Sequence, residues 1–150
     1  MLQSAVLFVH ILAAIVAVGF NVSYAVWIIR ARRDPAHTAF ALRGVKFMDD
    51  RIANPAYGVL LLSGLLLVVL GHFSITTLWI DIALILFVVL ILVAALVYTP
   101  ALREQVKLAE AGDVSSAAFT RLGTRGQIAG QALAVIVLVI LAMMVFKPSL

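Results

Sequence analysis

Three side chains able to bind a metal ion or a haem iron lie in or beside apolar stretches of this sequence: His10, His72 and Asp81. Imidazole nitrogens and carboxylate oxygens are ligands for divalent transition metals, and a neutral imidazole is also an axial ligand of haem iron. His10 lies within an apolar run, where a polar group is costly and needs a structural or functional reason. A hydrogen bond from His10 to a neighbouring helix is one such reason, and a cofactor is another.

The helical neighbours of His10 form a strip of small residues. Ala13, Ala14 and Ala17 follow His10 by three, four and seven positions, so they share its face on a helix. Alanines leave space for a flat macrocycle beside an imidazole. This pattern is compatible with a haem b site in which His10 is an axial ligand and Ala14 and Ala17 line the slot. His72 is a candidate second ligand if it reaches the level of His10.

A second interpretation joins His10, His72 and Asp81 in one metal site. Two imidazoles and a carboxylate suit a divalent ion such as copper. The spacing of the three residues matches no established motif, however. His72 and Asp81 also lie at the ends of apolar stretches, where polar groups are expected without any ligand.

Several classes of enzyme chemistry have no support in the sequence. Cysteine is absent, which excludes disulfides, thiolate metal sites and cysteine nucleophiles. No nucleophile–base pair, no pair of carboxylates at membrane depth and no phosphate-binding glycine loop is evident, so hydrolysis and phosphoryl transfer are unsupported. Whether the protein is an enzyme stays open.

The elements that must hold these residues are four long apolar stretches. A helix needs about 20 apolar residues to cross the hydrocarbon core of a bilayer. The chain is 65% hydrophobic and 12% charged, against about 25% charged residues in a soluble domain. We therefore predict an all-α polytopic membrane protein, a bundle of four transmembrane helices that forms one domain over residues 1–150. The stretches are Ala5–Ile29, Tyr57–Leu70 with its flanks, Leu78–Tyr98 and Ile128–Phe146.

The distribution of basic residues predicts the orientation of the bundle. Ten of the 11 Lys and Arg residues lie between spans one and two or between spans three and four, and Lys147 alone lies near the C-terminus. By the positive-inside rule both of these connections face the cytoplasm. We predict a bacterial inner-membrane protein with both termini on the periplasmic side. The basic connections favour anionic lipid headgroups, and the net charge of +4 therefore indicates no nucleic-acid partner.

Capping signals predict helices that extend beyond the membrane on the cytoplasmic side. Asp34–Pro35 is typical of a helix start, and Asn54–Pro55 predicts a kink or a restart before span two. Thr99–Pro100 marks the cytoplasmic end of span three, and Gly112 stops the helix that follows. Asp113 is the candidate cap for the segment leading to span four. Aromatic residues near span ends are expected at the membrane interface: Trp27, Trp79 and Tyr98.

A group of polar residues is predicted to lie at a similar depth near the cytoplasmic ends of the spans. They could line a polar vestibule or form hydrogen bonds between helices at the membrane boundary. Arg51 and Arg125 are candidates to hold an anion there, such as a propionate or a lipid phosphate. The group consists of Asn21, Tyr24, Asn54, Tyr57, Gln127 and Gln131.

Three short segments carry a resemblance to a known family. They are Leu7-Phe8-Val9-His10-Ile11-Leu12-Ala13-Ala14-Ile15-Val16, Tyr98-Thr99-Pro100-Ala101-Leu102-Arg103 and Met144-Val145-Phe146-Lys147-Pro148. The whole chain resembles a bacterial family of predicted integral membrane proteins with four spans, described as a domain of unknown function. That family in turn resembles HemJ-type protoporphyrinogen oxidases and CopD-type copper-resistance membrane proteins.

The resemblance implies a role for one residue. The HemJ group binds haem b through a histidine in its first span, and His10 matches that position. The same group uses a lysine in a later span, and spans two to four of this chain have none. Three functions remain as hypotheses: a haem b protein for electron transfer or haem-linked oxidation, a copper-binding or transport protein, and an accessory subunit without a ligand. A homodimer or a larger membrane complex is compatible with all three.

Overall fold

The computed structural model describes residues 1–74 and 77–148, and it confirms the predicted all-α class. Among these described residues, four helices are long and apolar enough to cross a membrane. Two of them contain an internal π-helical turn. The elements are α1 (Leu2–Arg33), a 3₁₀ turn (Pro35–His37), α2 (Thr38–Met48), a first π turn (Asp49–Ala53), α3 (Asn54–Leu70), α4 (Leu78–Val93), a second π turn (Ala94–Tyr98), α5 (Thr99–Glu110) and α6 (Ala117–Phe146).

The helices form two hairpins that approach each other most closely outside the apolar spans. In the first hairpin α1 packs along α3, and in the second α4 packs along α6. The backbones of the two hairpins come close where α2 lies against α5. We call the end of the bundle that contains α2 and α5 the basic end, because most Lys and Arg residues lie there, and the opposite end the apolar end.

Proline explains both π turns. Pro55 and Pro100 are each the second residue after a π turn, and neither can donate a backbone hydrogen bond to the preceding turn. The Asn54 N–H instead bonds the Asp49 carbonyl, and the Thr99 N–H bonds the Ala94 carbonyl, both five residues earlier. The helices therefore continue through Asn54–Pro55 and Thr99–Pro100, and the extra residue in each turn rotates the face that follows.

Two predicted helix boundaries are confirmed, whereas neither Asn54–Pro55 nor Thr99–Pro100 ends its helix. α1 ends at Arg33 and a 3₁₀ turn begins at Pro35, while Gly112 terminates the run that contains α5, with a left-handed φ of +78°. The prediction that Asp113 caps the segment leading to span four is wrong. Ser116 is the N-cap of α6, because its hydroxyl oxygen accepts a hydrogen bond from the Phe119 N–H at 3.1 Å.

The best-packed part of the molecule lies at the basic end. Val45 and Ala53 have no exposed surface, and Leu42 and Leu102 are almost as deeply buried. Towards the apolar end, many large aliphatic side chains point outward and are exposed. A protein in water would bury such residues, whereas in a bilayer lipid chains cover them. Burial between the hairpins thus depends strongly on α2 and α5 and on a few long side chains.

Candidate functional site

The side chain of His10, on α1, contacts two neighbouring residues of α3. Its Nδ1 is 3.0 Å from the Ser63 hydroxyl oxygen. The ring lies over Gly64, where a β-carbon would stand 3.0 Å from the His10 Cε1. Gly64 therefore gives the imidazole its space, and Ser63, which is buried, gives it a polar partner across the helix pair.

The surrounding hydrogen bonds favour one tautomer of His10. The Ser63 hydroxyl donates to the Val59 carbonyl at 2.6 Å, so its oxygen is left to accept from the histidine. The Leu60 carbonyl is a further acceptor beside the ring. A proton on Nδ1 satisfies this arrangement and leaves Nε2 unprotonated, with its lone pair available.

The His10 ring overlies Gly64, which shares a face of α3 with Tyr57. Gly64 follows Tyr57 by seven residues, so both share one face of α3. The Tyr57 ring packs edge-on against Phe87 of α4, with ring centroids 6.2 Å apart. His10 therefore contacts α3 one residue before a position, Gly64, that shares a helical face with Tyr57.

The predicted alanine strip has two different environments. Ala17 is fully buried by the packing of the bundle and has no exposed surface, so it gives no open wall to a slot. Ala14 is half-buried and remains adjacent in sequence and face to His10. The small side chain of Ala17 thus allows the helices to pack closely, whereas only Ala14 could leave space beside the imidazole.

The structure does not gather the other predicted ligands around His10. Leu70, the end of α3, lies six residues beyond Gly64, about 9 Å along the helix axis, and exposed His72 follows it with a φ of +53°. Asp81 lies in the first turn of α4. Within residues 1–74 and 77–148, no group of three His, Cys, Asp or Glu side chains is arranged to hold a metal ion.

A second polar site lies nearer the basic end, where the first hairpin meets the second π turn. Asp49, at the start of the first π turn, is buried and lies close enough to three tyrosines to act on them electrostatically. We call this group the tyrosine–aspartate cluster; its members are Tyr24, Asp49, Tyr57 and Tyr98.

The cluster is incompletely paired. Asp49 hydrogen-bonds the Asn54 side chain, and the Tyr57 hydroxyl accepts a bond from the Asn21 amide at 3.1 Å. The Tyr24 hydroxyl and the Asp49 Oδ2 are buried, and neither has a hydrogen-bond partner within the described part of the chain. Buried polar atoms without partners are uncommon and often mark a site for water, an ion or a ligand.

Sequence reasoning missed two members of this cluster. Asp49 stands beside other charged residues in the sequence and Tyr98 near the end of a span, and neither feature reveals that both are buried, at 5% and 7% exposure. Tyr98 instead packs near Gly130, whose β-carbon position is 3.9 Å from its ring. The signal that could have found both residues is the Pro that follows each π turn, because proline there demands a changed helical register.

The remaining vestibule residues lie elsewhere. Gln127 is exposed and accepts a hydrogen bond at 2.8 Å from Arg32, which links α1 to α6. Gln131 and Arg51 are exposed as well. Asn21, Tyr24, Asn54 and Tyr57 are therefore the part of the predicted vestibule that the structure brings together.

Comparison with known proteins identifies a family. The family model described as "Predicted integral membrane protein (DUF2269)" matches residues 4–148. No curated protein matches the chain, and no solved structure does either.

Proposed function

We propose that this chain, which belongs to the DUF2269 family of predicted integral membrane proteins, binds haem b through His10 and serves in electron transfer or haem-linked oxidation. The observation that carries the proposal is the hydrogen bond from His10 Nδ1 to Ser63. Histidines that ligate metals commonly donate their other ring N–H to a protein acceptor, which fixes the ring and raises its basicity. His10 has this arrangement, with Nε2 as the ligand atom.

The residues around His10 fit a haem group in three respects. The imidazole is neutral in the tautomer that its hydrogen bonds favour, as an axial ligand must be. Gly64 leaves room for the ring. Ala14, one helical turn from His10, is half-buried and leaves part of the surface beside the imidazole uncovered, whereas Ala17 is fully buried.

Bound haem iron would supply one-electron chemistry that side chains lack. In this proposal His10 holds the group and Ser63 is a positioning residue that orients His10. The apolar spans exclude water from the site. His72, on the apolar side of the end of α3, is not required as a ligand.

The proposal includes an orientation. The basic end lies on the cytoplasmic side of a bacterial inner membrane, and both termini face the periplasm, in agreement with the positive-inside rule. Because the chain has no cysteine, single cysteines can test this directly. A thiol reagent that cannot cross the membrane should label Gln3→Cys in intact spheroplasts. It should label Ser115→Cys only after lysis. The reverse pattern would contradict the orientation without affecting the haem proposal.

Visible spectroscopy tests the haem proposal. Protein produced with ample haem and purified in mild detergent should show a Soret band and sharp α and β bands after reduction with dithionite. His10→Ala should abolish these bands, while the matched controls His72→Ala and His37→Ala should keep them. Full haem occupancy in His10→Ala would reject this ligand assignment. If the wild-type protein has a featureless spectrum and also co-purifies with a larger complex, the accessory-subunit function is favoured.

The unpaired atoms of the tyrosine–aspartate cluster support a second candidate function, the binding of a small cation without redox chemistry. A buried carboxylate oxygen beside phenolic oxygens and aromatic rings offers a cation both charge and π surface. Thermal stabilisation by sodium, potassium or ammonium chloride should exceed that by an isosmotic neutral solute. Asp49→Asn should lose the difference, and Asp50→Asn, at an exposed position paired with Lys46, should keep it. No difference in the wild-type protein would reject this candidate.

A further inference from the structure

A groove on the outer surface of the second hairpin combines two kinds of lining. It lies between α6 and the segment formed by the end of α4 and the second π turn, and has a volume of about 570 Å³. Most of its wall is aliphatic, from Val93, Val97, Ile128 and Ala132. Arg121 and Arg125 line the part nearest the basic end.

Within residues 1–74 and 77–148, Arg121 and Arg125 have no acidic partner. They are one turn apart on α6, so their like charges repel each other mildly. Within the described part of the chain neither forms an ion pair or a hydrogen bond, whereas Arg43 lies 3.7 Å from Glu110 and Arg32 bonds Gln127. The polar part of the groove is therefore complementary to an anion that the protein itself does not provide.

The aliphatic part of the groove continues from the arginines into the membrane span. Ala132 follows Arg125 by seven residues, so the wall extends about 10 Å along the axis of α6. Small alanine side chains on α6 keep the groove open, and the second π turn forms part of its opposite wall. A bound molecule must accordingly have an anionic head at the membrane boundary and an aliphatic chain directed into the hydrocarbon.

We propose that this groove is a binding site for an anionic glycerophospholipid, with its phosphate on Arg121 and Arg125 and one acyl chain between Val97 and Ile128. Guanidinium groups bind phosphate oxygens in a bidentate manner, which gives more than the general attraction of a basic surface. The proposal does not depend on haem binding by His10.

A second groove serves as an internal comparison. It lies between α1 and α3 near Val6 and Leu66, has a volume of about 360 Å³, and has no charged residue in its lining. Lipid chains can cover it, but nothing in that groove selects a headgroup. Between these two grooves, selectivity for anionic lipid should therefore come from the one on the second hairpin.

Native mass spectrometry of the purified full-length protein tests the site. Titration with phosphatidylglycerol and with phosphatidylcholine of the same chains should show about tenfold tighter binding of the anionic lipid. Arg121→Gln/Arg125→Gln should remove that preference. Arg30→Gln/Arg33→Gln, which removes equal charge from the end of α1, should keep it. Equal affinities for the two lipids, or equal losses in the two double variants, would overturn the proposal.

Two further measurements separate a lipid from a free anion. Ala132→Trp fills the exposed aliphatic part of the groove without altering charge, and it should weaken binding of phosphatidylglycerol several-fold. Inorganic phosphate at millimolar concentration should leave the bound lipid in place. Unchanged lipid binding by Ala132→Trp, or full displacement by phosphate, would show that the acyl chain has no part in recognition and would reject a lipid site.

Discussion

His10 and Asp49 are both polar residues inside a largely apolar bundle, but their surroundings differ. His10 has a hydroxyl partner on the facing helix and a glycine that makes room for its ring. Asp49 retains one oxygen without a partner and lies beside a tyrosine hydroxyl in the same condition. A satisfied polar group adds to the stability of a helix pair, whereas an unsatisfied one subtracts from it.

The difference indicates different reasons for keeping each residue. The contact of His10 with Ser63 is compatible with a purely structural role as well as with ligand binding, so stability alone does not reveal its function. Asp49 and Tyr24 lack that explanation, because their unpaired atoms give the fold no benefit. Measurements that alter one site at a time can therefore separate packing from function.

The largest effect is expected from Gly64→Leu. Even the β-carbon would stand 3.0 Å from His10 Cε1, and the rest of the side chain would displace the ring from Ser63. We expect a loss of about 1–3 kcal/mol, as is common for an over-packed core, together with the loss of any haem absorbance. Equilibrium unfolding in mixed micelles, followed by circular dichroism, measures the first quantity.

Gly58→Leu is the matched control on the same helix. A β-carbon at Gly58 meets no atom within 4 Å, so stability and absorbance should change little. If Gly58→Leu and Gly64→Leu destabilise the protein equally, the close contact with His10 is not the cause.

A smaller loss is expected from Ser63→Ala, which removes the partner of His10 and leaves the helix contact in place. Hydrogen bonds between transmembrane helices contribute about 0.6 kcal/mol on average and up to about 1.7. The same unfolding assay should give a value in this range. Ser23→Ala is the control, because the Ser23 hydroxyl bonds the Phe20 carbonyl of its own helix; a loss as large as that of Ser63→Ala would argue against a special role for the interhelical bond.

Tyr24→Phe should be neutral or stabilising by up to about 1 kcal/mol, because it removes a hydroxyl that has no partner and keeps the ring. Tyr57→Phe removes a hydroxyl that accepts from Asn21, so it should destabilise the protein. The sign of the difference between the two variants is the critical result. A clear loss in Tyr24→Phe would mean that its hydroxyl has a partner, such as a bound water or ion, in the membrane.

The smallest effect is expected at the exposed contact between the hairpins. Arg32 donates to Gln127 across α1 and α6, but polar contacts in water contribute about 0–1 kcal/mol. Arg32→Gln should therefore leave the unfolding midpoint nearly unchanged at moderate salt concentration. If Arg32→Gln lowers the free energy of unfolding more than Ser63→Ala does, the water-exposed contact contributes more than the membrane-embedded one, contrary to expectation.

Sequence and structure agree best on features that depend on neighbouring residues in the chain. The position of His10 on a long apolar helix, the helical start at Pro35 and the stop at Gly112 were predictable, because each depends on hydropathy or on backbone conformation within a few residues. The exclusion of cysteine chemistry was equally direct. A hydrogen bond from His10 to a neighbouring helix was also compatible with the sequence, but the sequence could not identify Ser63 as the partner.

Errors arose where the local signal was ambiguous. Asp113 and Ser116 are both good capping residues, and the one that lies directly before α6 takes the role. Asp49 has the composition of a charged surface turn, and Tyr98 has that of an interfacial aromatic residue. Each is buried in the folded protein, because each belongs to a π turn that changes the helical register.

The sequence alone determined that four helices cross a membrane, because hydrocarbon thickness and the helical rise set the length of an apolar run. It also determined which residues are small, polar or basic along each helix. Tertiary structure decided that His10 meets Ser63, that Asp49 and Tyr24 share a buried cluster, and that Arg121 and Arg125 line an aliphatic groove. These pairings depend on the order and rotation of the helices, which are set by side-chain packing between distant segments of the chain.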